Sequence, residues 1–167
     1  MATYATGARI MALRGDLDGA AKRLDEGAHA ARILALPRLA ARITNEQARV
    51  GLPITTAGHP EPTIRGSDGI ATPTTELNEA TTIRLLLREG TPAQIASACD
   101  RATKLRKSID PTRRPRAGLE AQLLVASCQA ASGQIEAGKS TLVPALATYV
   151  DLALLRPLRD ADEWTNH

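Results

Sequence analysis

The chain has 167 residues, enough for one domain with a sizeable core. Its 21 Lys and Arg against 18 Asp and Glu leave a net charge of only +3, which is low for a nucleic-acid-binding protein. Apolar residues make up 43%, with no Phe, one Trp and two Tyr, a composition that favours closely packed helices over a sheet. No apolar run reaches the ~20 residues of a membrane-spanning helix, and the start lacks signal-peptide features. We therefore expect a cytoplasmic protein without membrane contact.

The spacing of apolar residues predicts seven helices. They cover approximately residues 3–14, 16–34, 37–50, 75–89, 91–105, 114–131 and 135–150. The sequence Thr91-Pro-Ala-Gln94 is typical of a capping box, and Pro144 predicts a kink or break in the last helix. Because short turns place neighbouring helices antiparallel, we predict an all-α fold, an irregular TPR-like α–α superhelix.

The helical pattern stops from Gly51 to Thr74, where four Pro and four Gly occur. We predict a surface loop that connects helices, with a lid over a binding groove as the alternative. The remaining pattern predicts one helical-repeat domain over residues 1–160 and a polar tail over residues 161–167. An apolar segment over residues 151–158 is expected to cover the last helix pair.

Three glycines each follow a helical run and precede another, namely Gly15, Gly90 and Gly133. The residue twelve positions after each glycine is tiny, as expected where two helices cross closely. These residues are Gly27, Ala102 and Ala145.

The run from Gly133 through Gly138, Lys139 and Ser140 matches the phosphate-binding pattern G-x-x-x-x-G-K-[ST]. A working site needs a strand before the loop, but residues 119–132 have helical spacing. The 27 residues after Ser140 are also too few for the rest of an α/β nucleotide domain. We therefore interpret the match as accidental and expect no cofactor.

Six cations cluster within residues 104–116, where two helices are predicted to meet. They could bind phosphate, nucleic acid or an acidic protein surface, or simply be a solvated helix junction, which is the interpretation we favour. The cluster contains Lys104, Arg106, Lys107, Arg113, Arg114 and Arg116. No aromatic residues are interleaved for base stacking, so DNA binding is not expected.

The sequence offers few other candidates for catalytic, redox or metal-binding residues. Cys99 and Cys128 lack C-x-x-C spacing and occupy apolar helical positions, which indicates buried free thiols. The three histidines are not spaced for one helix face, so no metal site is predicted. No carboxylate pair has a recognisable catalytic spacing, and we assign no catalytic residue.

The residues from Met11 to Leu24, MALRGDLDGAAKRL, are similar to repeats of MalT-type regulators of the LuxR family. Residues 83–94 and 117–149 resemble other helical segments of the same family. The same helical region occurs in an actinobacterial Ser/Thr protein kinase, protein kinase K, which resembles a kinase fused to such a regulator. The chain itself has no kinase motifs and no DNA-reading helix-turn-helix.

The resemblance implies a non-enzymatic regulatory or sensor module. Such a module would bind a small effector, a peptide or other domains of its own protein in the groove of its repeats. Two alternatives remain open: a nucleotide-binding protein built on Gly133 to Thr141, and a basic nucleic-acid-binding domain.

Overall fold

Seven α-helices account for the regular structure of residues 2–54 and 71–151, the part of the chain that the computed structural model describes. They are α1 (Ala2–Ala12), α2 (Leu17–Ile33), α3 (Pro37–Arg49), α4 (Ala71–Glu89), α5 (Pro92–Ser108), α6 (Pro115–Ala131) and α7 (Ile135–Asp151). The predicted all-α class is confirmed, as is the antiparallel packing of helix pairs in chain order. Two compact units are formed, Met1–Thr81 and Thr82–His167, and the boundary between them falls inside α4.

The predicted start of α4 is wrong, and of the kink or break predicted at Pro144 only the break is excluded. Helix α4 begins at Ala71, so the predicted loop over residues 51–74 ends too late. Pro73 lies in the first turn of α4, where a missing N–H costs no hydrogen bond, and the adjacent Thr74 is buried. Helix α7 continues past Pro144, so no break occurs there. Residues 55–70, the apolar segment beyond Asp151, the domain end at residue 160 and the tail over residues 161–167 lie outside the described residues.

The turns after four helices share one hydrogen-bond pattern. After α1, the N–H of Gly15 donates to the carbonyl of Ala12, and the N–H of Asp16 donates to the carbonyl of Met11. The same two bonds close α2, α3 and α6. This pattern requires a residue with positive φ after the helix, which is why glycine usually follows. Gly15 and Gly133 have φ of 81° and 80°.

Ala35 occupies the same place after α2 with φ of 49°, although it carries a Cβ. The left-handed conformation brings a Cβ close to the following carbonyl and is unfavourable for any residue other than glycine. The turn between α2 and α3 is therefore strained at Ala35, while the equivalent glycine turns are not.

Small side chains let the helices of the first unit approach closely. The cluster of buried residues combines alanines with a few larger aliphatic side chains: Ala8, Ala20, Leu24, Ala31, Leu39 and Ile43. At Gly27 a Cβ would lie 2.6 Å from Ile43 Cδ1 and 3.0 Å from Tyr4 Cβ, so no larger residue fits this crossing. Leu17, the first residue of α2, is 50% exposed.

Helix α3 also buries polar side chains. The Arg9 guanidinium on α1 donates through Nε to Glu46 Oε1 at 2.6 Å and through Nη2 to Glu46 Oε2 at 2.5 Å. Glu46 is 3% exposed, so this two-bond pair lies in the interior. Asn45 Nδ2 on α3 donates to the Leu77 carbonyl at 3.1 Å and to Thr81 Oγ1 at 3.2 Å, which joins α3 to the first half of α4. Buried polar groups need such partners because their desolvation is otherwise uncompensated.

In the second unit, α6 packs against α5 and α7. Its buried residues occur on more than one face, as expected for a helix with a neighbour on each side. Ala102 is 0% and Ala145 is 3% exposed, as expected of the close crossings predicted at these positions. Leu119 and Leu123 of α6 form a cluster with Ala145 of α7, and Leu142 packs against it.

We predict that Ala35→Gly will raise the free energy of unfolding by about 1 kcal/mol, because glycine adopts the left-handed conformation without the Cβ clash. The matched change in the opposite direction is Gly133→Ala, where an added Cβ meets nothing within 4 Å. It should lower stability by a similar amount. Chemical denaturation of both variants measures the two effects, and equal stabilities for all three proteins would contradict the prediction.

We predict that Arg9→Met will lower the free energy of unfolding by about 3 kcal/mol, because the Glu46 carboxylate then loses its two-bond partner in the interior. A second variant with Glu46→Met as well should recover part of that loss, since the buried carboxylate is then removed together with its partner. The recovery is incomplete because Arg49, whose Nε lies 3.9 Å from Glu46 Oε2, loses that neighbour. Denaturation of both variants gives the coupling energy between the two side chains. Equal losses in the single and the double variant would show that the pair is not coupled.

Candidate functional site at the α5–α6 junction

The connection between α5 and α6 is a turn held by side-chain and backbone bonds. Ile109 follows α5 in extended conformation and is 7% exposed, so it anchors the connection in the core. Asp110 Oδ1 accepts hydrogen bonds from the Thr112 N–H at 2.9 Å and from the Thr112 hydroxyl at 2.7 Å. The N–H of Arg114 donates to the Asp110 carbonyl at 3.0 Å, and Pro115 then opens α6 with φ suited to a first helical residue.

A close contact holds this turn against α6. A Cβ at Gly118 would lie 3.0 Å from Pro111 Cβ and 3.2 Å from Pro111 Cα. The glycine therefore lets the proline rest directly on the helix. The cations on either side of the turn are consequently carried by a backbone with little freedom.

The six cations of this region, Lys104, Arg106, Lys107, Arg113, Arg114 and Arg116, are here called the basic junction. All are exposed except Arg114, which is partly buried. Three of them pair with a nearby carboxylate, Lys104 with Asp100 at 2.6 Å, Arg113 with Asp110 at 3.7 Å and Arg116 with Glu120 at 3.6 Å.

These three pairs neutralise the basic junction only weakly. Each joins exposed side chains within a turn or so of each other, and such pairs contribute about 0–1 kcal/mol in water. Arg106 and Lys107 have no carboxylate within ion-pair distance among the described residues. The surface therefore keeps a positive charge excess.

Helix dipoles account for some of these cations and not for others. Arg106 and Lys107 lie in the last turn of α5, where a positive charge complements the partial negative charge of the helix end. Arg114 and Arg116 lie at the start of α6, where the partial positive charge of the helix end repels them. The first turn of α6 has no acidic residue, and its N-cap, Arg114, forms no side-chain cap. The helix dipole therefore does not account for the arginines at this end.

Asp110 is the acidic residue at the centre of the basic junction. The hydrogen bond from the Thr112 hydroxyl, with that from the Thr112 N–H, holds the pKa of Asp110 below its ordinary value. Its carboxylate therefore stays ionised at neutral pH and in the mildly acidic range. It organises the turn in its charged form and offsets one of the six cations.

The residues of the phosphate-binding pattern have a different setting. Residues 119–131 are helical, so the predicted helix is confirmed up to its cap at Ser132, and Gly138, Lys139 and Ser140 lie within α7. Gly138 is buried, and a Cβ there would lie 3.1 Å from the Ala126 carbonyl oxygen, so this glycine permits α7 to approach α6. Lys139 Nζ donates to Glu136 Oε1 at 2.8 Å on the exposed face of α7.

Thr141 also has a structural role between these helices. Its hydroxyl donates to Gln129 Oε1 at 2.7 Å, and its carbonyl accepts from Gln122 Nε2 at 2.8 Å. The strand–loop–helix arrangement of a phosphate-binding loop does not occur here. That the chain binds no nucleotide stays a prediction.

The structure brings the six predicted cations together at one junction, and sequence spacing was sufficient to find them. The sequence analysis missed the Asp110–Thr112 turn, although Asp-Pro-Thr is a sequence typical of turns, and it missed the contact of Pro111 with Gly118. Within residues 2–54 and 71–151, no three His, Cys, Asp or Glu side chains are grouped as metal ligands. In the same residues, no helix has the length and apolar character needed to cross a membrane.

Comparison with known proteins gives one group of relatives. The chain is 43% identical over 164 residues to the serine/threonine-protein kinase PknK of two Mycobacterium tuberculosis strains and of Mycobacterium bovis. The match covers 96% of this chain but only 15% of each kinase. No family model matches the chain, and no solved structure matches it. The resemblance to an actinobacterial Ser/Thr kinase is thus confirmed for one segment of that kinase, while the likeness to MalT-type regulators stays a prediction.

We predict that Lys139→Ala will change the free energy of unfolding by less than about 0.5 kcal/mol, as is usual for an exposed side chain. Gly138→Leu, one residue earlier, should cost about 1–3 kcal/mol, because the new side chain is forced against the backbone of α6. Titration of the unmodified chain with ATP and magnesium should show no saturable binding. Micromolar binding that Lys139→Ala abolishes would establish a nucleotide site instead.

Proposed function

We propose that the chain is a non-enzymatic regulatory region of a larger cytoplasmic protein, either a kinase of the PknK type or a MalT-type regulator. In this proposal it acts as a TPR-like sensor module that binds a peptide, a small effector or another domain of its own protein. The contact we favour is between the basic junction and an acidic surface of another domain. The observation that carries the proposal is the 43% identity, across nearly the whole chain, to one segment of a much longer Ser/Thr kinase.

The helical architecture supports a binding role. Stacked helices joined by short turns present side chains on a continuous surface, and proteins of this kind commonly bind other proteins. The chain also lacks kinase motifs, so its contribution to a kinase would be made through contact rather than through chemistry of its own. A segment that changes the activity of a neighbouring domain must bind its active and inactive states with different affinity.

The chemistry of the basic junction supports an acidic protein partner over nucleic acid. Sequence-tolerant binding of single strands uses aromatic side chains on which bases stack, and no aromatic residue lies between Tyr4 and Tyr149. Recognition of duplex DNA depends on cations spread along a groove-sized surface, whereas these six are confined to one turn and its flanking helix ends. A compact positive patch on a fixed turn suits a patch of carboxylates on a folded domain.

We predict that the corresponding segment of PknK controls its autophosphorylation and that this chain can replace it. Deleting the segment should change the autophosphorylation rate by about fivefold or more, the size of an ordinary regulatory coupling. Inserting this chain in its place should return the rate towards that of the intact kinase. The triple variant Arg106→Glu, Lys107→Glu and Arg113→Glu should fail to restore the rate, because its charge is reversed at the contact.

A matched control for charge is Lys22→Glu with Arg32→Glu and Arg38→Glu, three exposed cations of α2 and α3 outside the basic junction, which should restore the rate like the unmodified chain. An unchanged rate after deletion would rule out the regulatory role. The isolated chain should also show no ATP hydrolysis and bind duplex DNA weakly and without sequence preference. Tight, sequence-selective DNA binding that the triple variant loses would favour a nucleic-acid-binding domain.

A further inference from the structure

The hydroxyl of Thr112 lies on the exposed turn at the centre of the basic junction. Its Oγ1 donates to Asp110 Oδ1 at 2.7 Å, and Arg113 Nε lies 3.7 Å from Oδ2 of the same carboxylate. The hydroxyl and the guanidinium are therefore neighbours across one carboxylate. The Arg113 side chain is 86% exposed, so its guanidinium can turn towards a new group on Thr112.

Thr112 also differs from most exposed hydroxyl residues in its backbone. Within the described residues, the exposed serines and threonines that lie outside helices are Thr91, Thr112 and Ser132. A protein kinase binds the segment around its acceptor in an extended conformation, which a helical residue reaches only when its helix unfolds. Both hydrogen bonds from Thr112 to Asp110 are exposed to solvent, so this turn opens locally more easily than a helix does.

The charges around these three residues differ. Ser132 has no charged residue within three positions along the chain, and Thr91 follows Glu89 and belongs to the capping box of α5. Thr112 has cations of the basic junction on both sides. Charge patterns beside the acceptor are one means by which kinases select substrates, and arginine binds phosphate through two parallel hydrogen bonds. The surroundings of Thr112 therefore suit both a phosphoryl transfer and its product.

We propose that Thr112 is a phosphorylation site, at which a Ser/Thr kinase of the PknK type transfers the γ-phosphoryl group of ATP and so lowers the positive charge of the basic junction. Thr112 Oγ1 attacks the γ-phosphorus, and the bond from that phosphorus to the bridging oxygen breaks, so that ADP leaves with the electron pair. The hydroxyl proton passes to a carboxylate base of the kinase. The inference rests on the proposed function, which supplies both the kinase and the acidic partner.

Phosphorylation replaces the interactions that hold the turn. The ester oxygen has no proton to donate to Asp110, and a phosphate with a charge of about −2 repels that carboxylate. Arg113, which contacts Asp110 through the other oxygen, can bind the phosphate instead. About two of the six cations are then offset from within the chain, so the attraction for an acidic partner falls.

The first test is incubation of the folded full chain with full-length Mycobacterium tuberculosis PknK, ATP and magnesium, followed by tryptic mapping. The peptide that begins at Ser108 should carry one phosphoryl group, and fragmentation should place it on Thr112 and not on Ser108. Thr112→Ser should remain a substrate, whereas Thr112→Val should lose this modification. A Thr112 that stays unmodified, with or without phosphate at another residue, would overturn the proposal.

Two charge variants check the part played by the cations. Arg113→Gln with Arg116→Gln should slow phosphorylation about fivefold, the combined effect of two exposed charge pairs. The matched control, Lys22→Gln with Arg32→Gln, changes two exposed cations of α2 and should leave the rate as it is. Equal rates for both variants would show that the basic junction does not select Thr112.

The second test measures binding of a polyglutamate peptide at low ionic strength. The phosphorylated chain should bind it about tenfold more weakly than the unmodified chain, because about two charges are offset. Thr112→Val, which adds no charge, should bind like the unmodified chain, and equal affinity before and after phosphorylation would overturn the effect on the basic junction. If Thr112 is phosphorylated but deleting the segment from PknK leaves autophosphorylation unchanged, the proposed function fails and the phosphorylation site stands. The reverse pattern keeps the function and rejects the site.

Discussion

Close approach of helices with small side chains is the constraint on which both units depend. A chain without Phe buries little area per residue, so it gains packing energy only when helix backbones come near each other. Close approaches of helices occur where the side chain is absent, at Gly27 in the first unit and at Gly138 in the second, and Gly118 lets the turn at Pro111 lie against α6.

Much of the fold could be predicted because its signals are local. Period-3.6 spacing identifies the helices, the capping box at Thr91 and Gln94 marks the start of α5, and Gly15, Gly90 and Gly133 all have the positive φ that their place after a helix requires. The cations of the basic junction were found for the same reason, since they are neighbours in the sequence. Such features depend on a few adjacent residues and need no knowledge of tertiary contacts.

Other features could not be predicted, because they depend on which helices meet. Glu46 lies in a run of polar residues that resembles a solvated face, and its two-bond partner, Arg9, lies on another helix. The start of α4 was placed too late because Pro73 was taken as a helix breaker, whereas the first turn accepts proline. In each of these cases the outcome depends on a tertiary contact or on the exact position within a helix, and the local sequence pattern gives neither.

The Arg9–Glu46 pair has a consequence for how this chain can vary in length. Each residue added within a helix rotates the following residues about the helix axis by about 100° relative to the preceding ones. If one residue were inserted in α1 ahead of Arg9, the arginine and the apolar residues before it could therefore no longer both lie on the face that meets α3. Alanines on that face tolerate such a rotation better than a buried charge does, because a buried charge needs its partner at hydrogen-bond distance. Insertions and deletions among homologous chains should therefore be excluded from α1 and from the stretch of α3 around Glu46, and should accumulate in connections such as the one that follows Gly51.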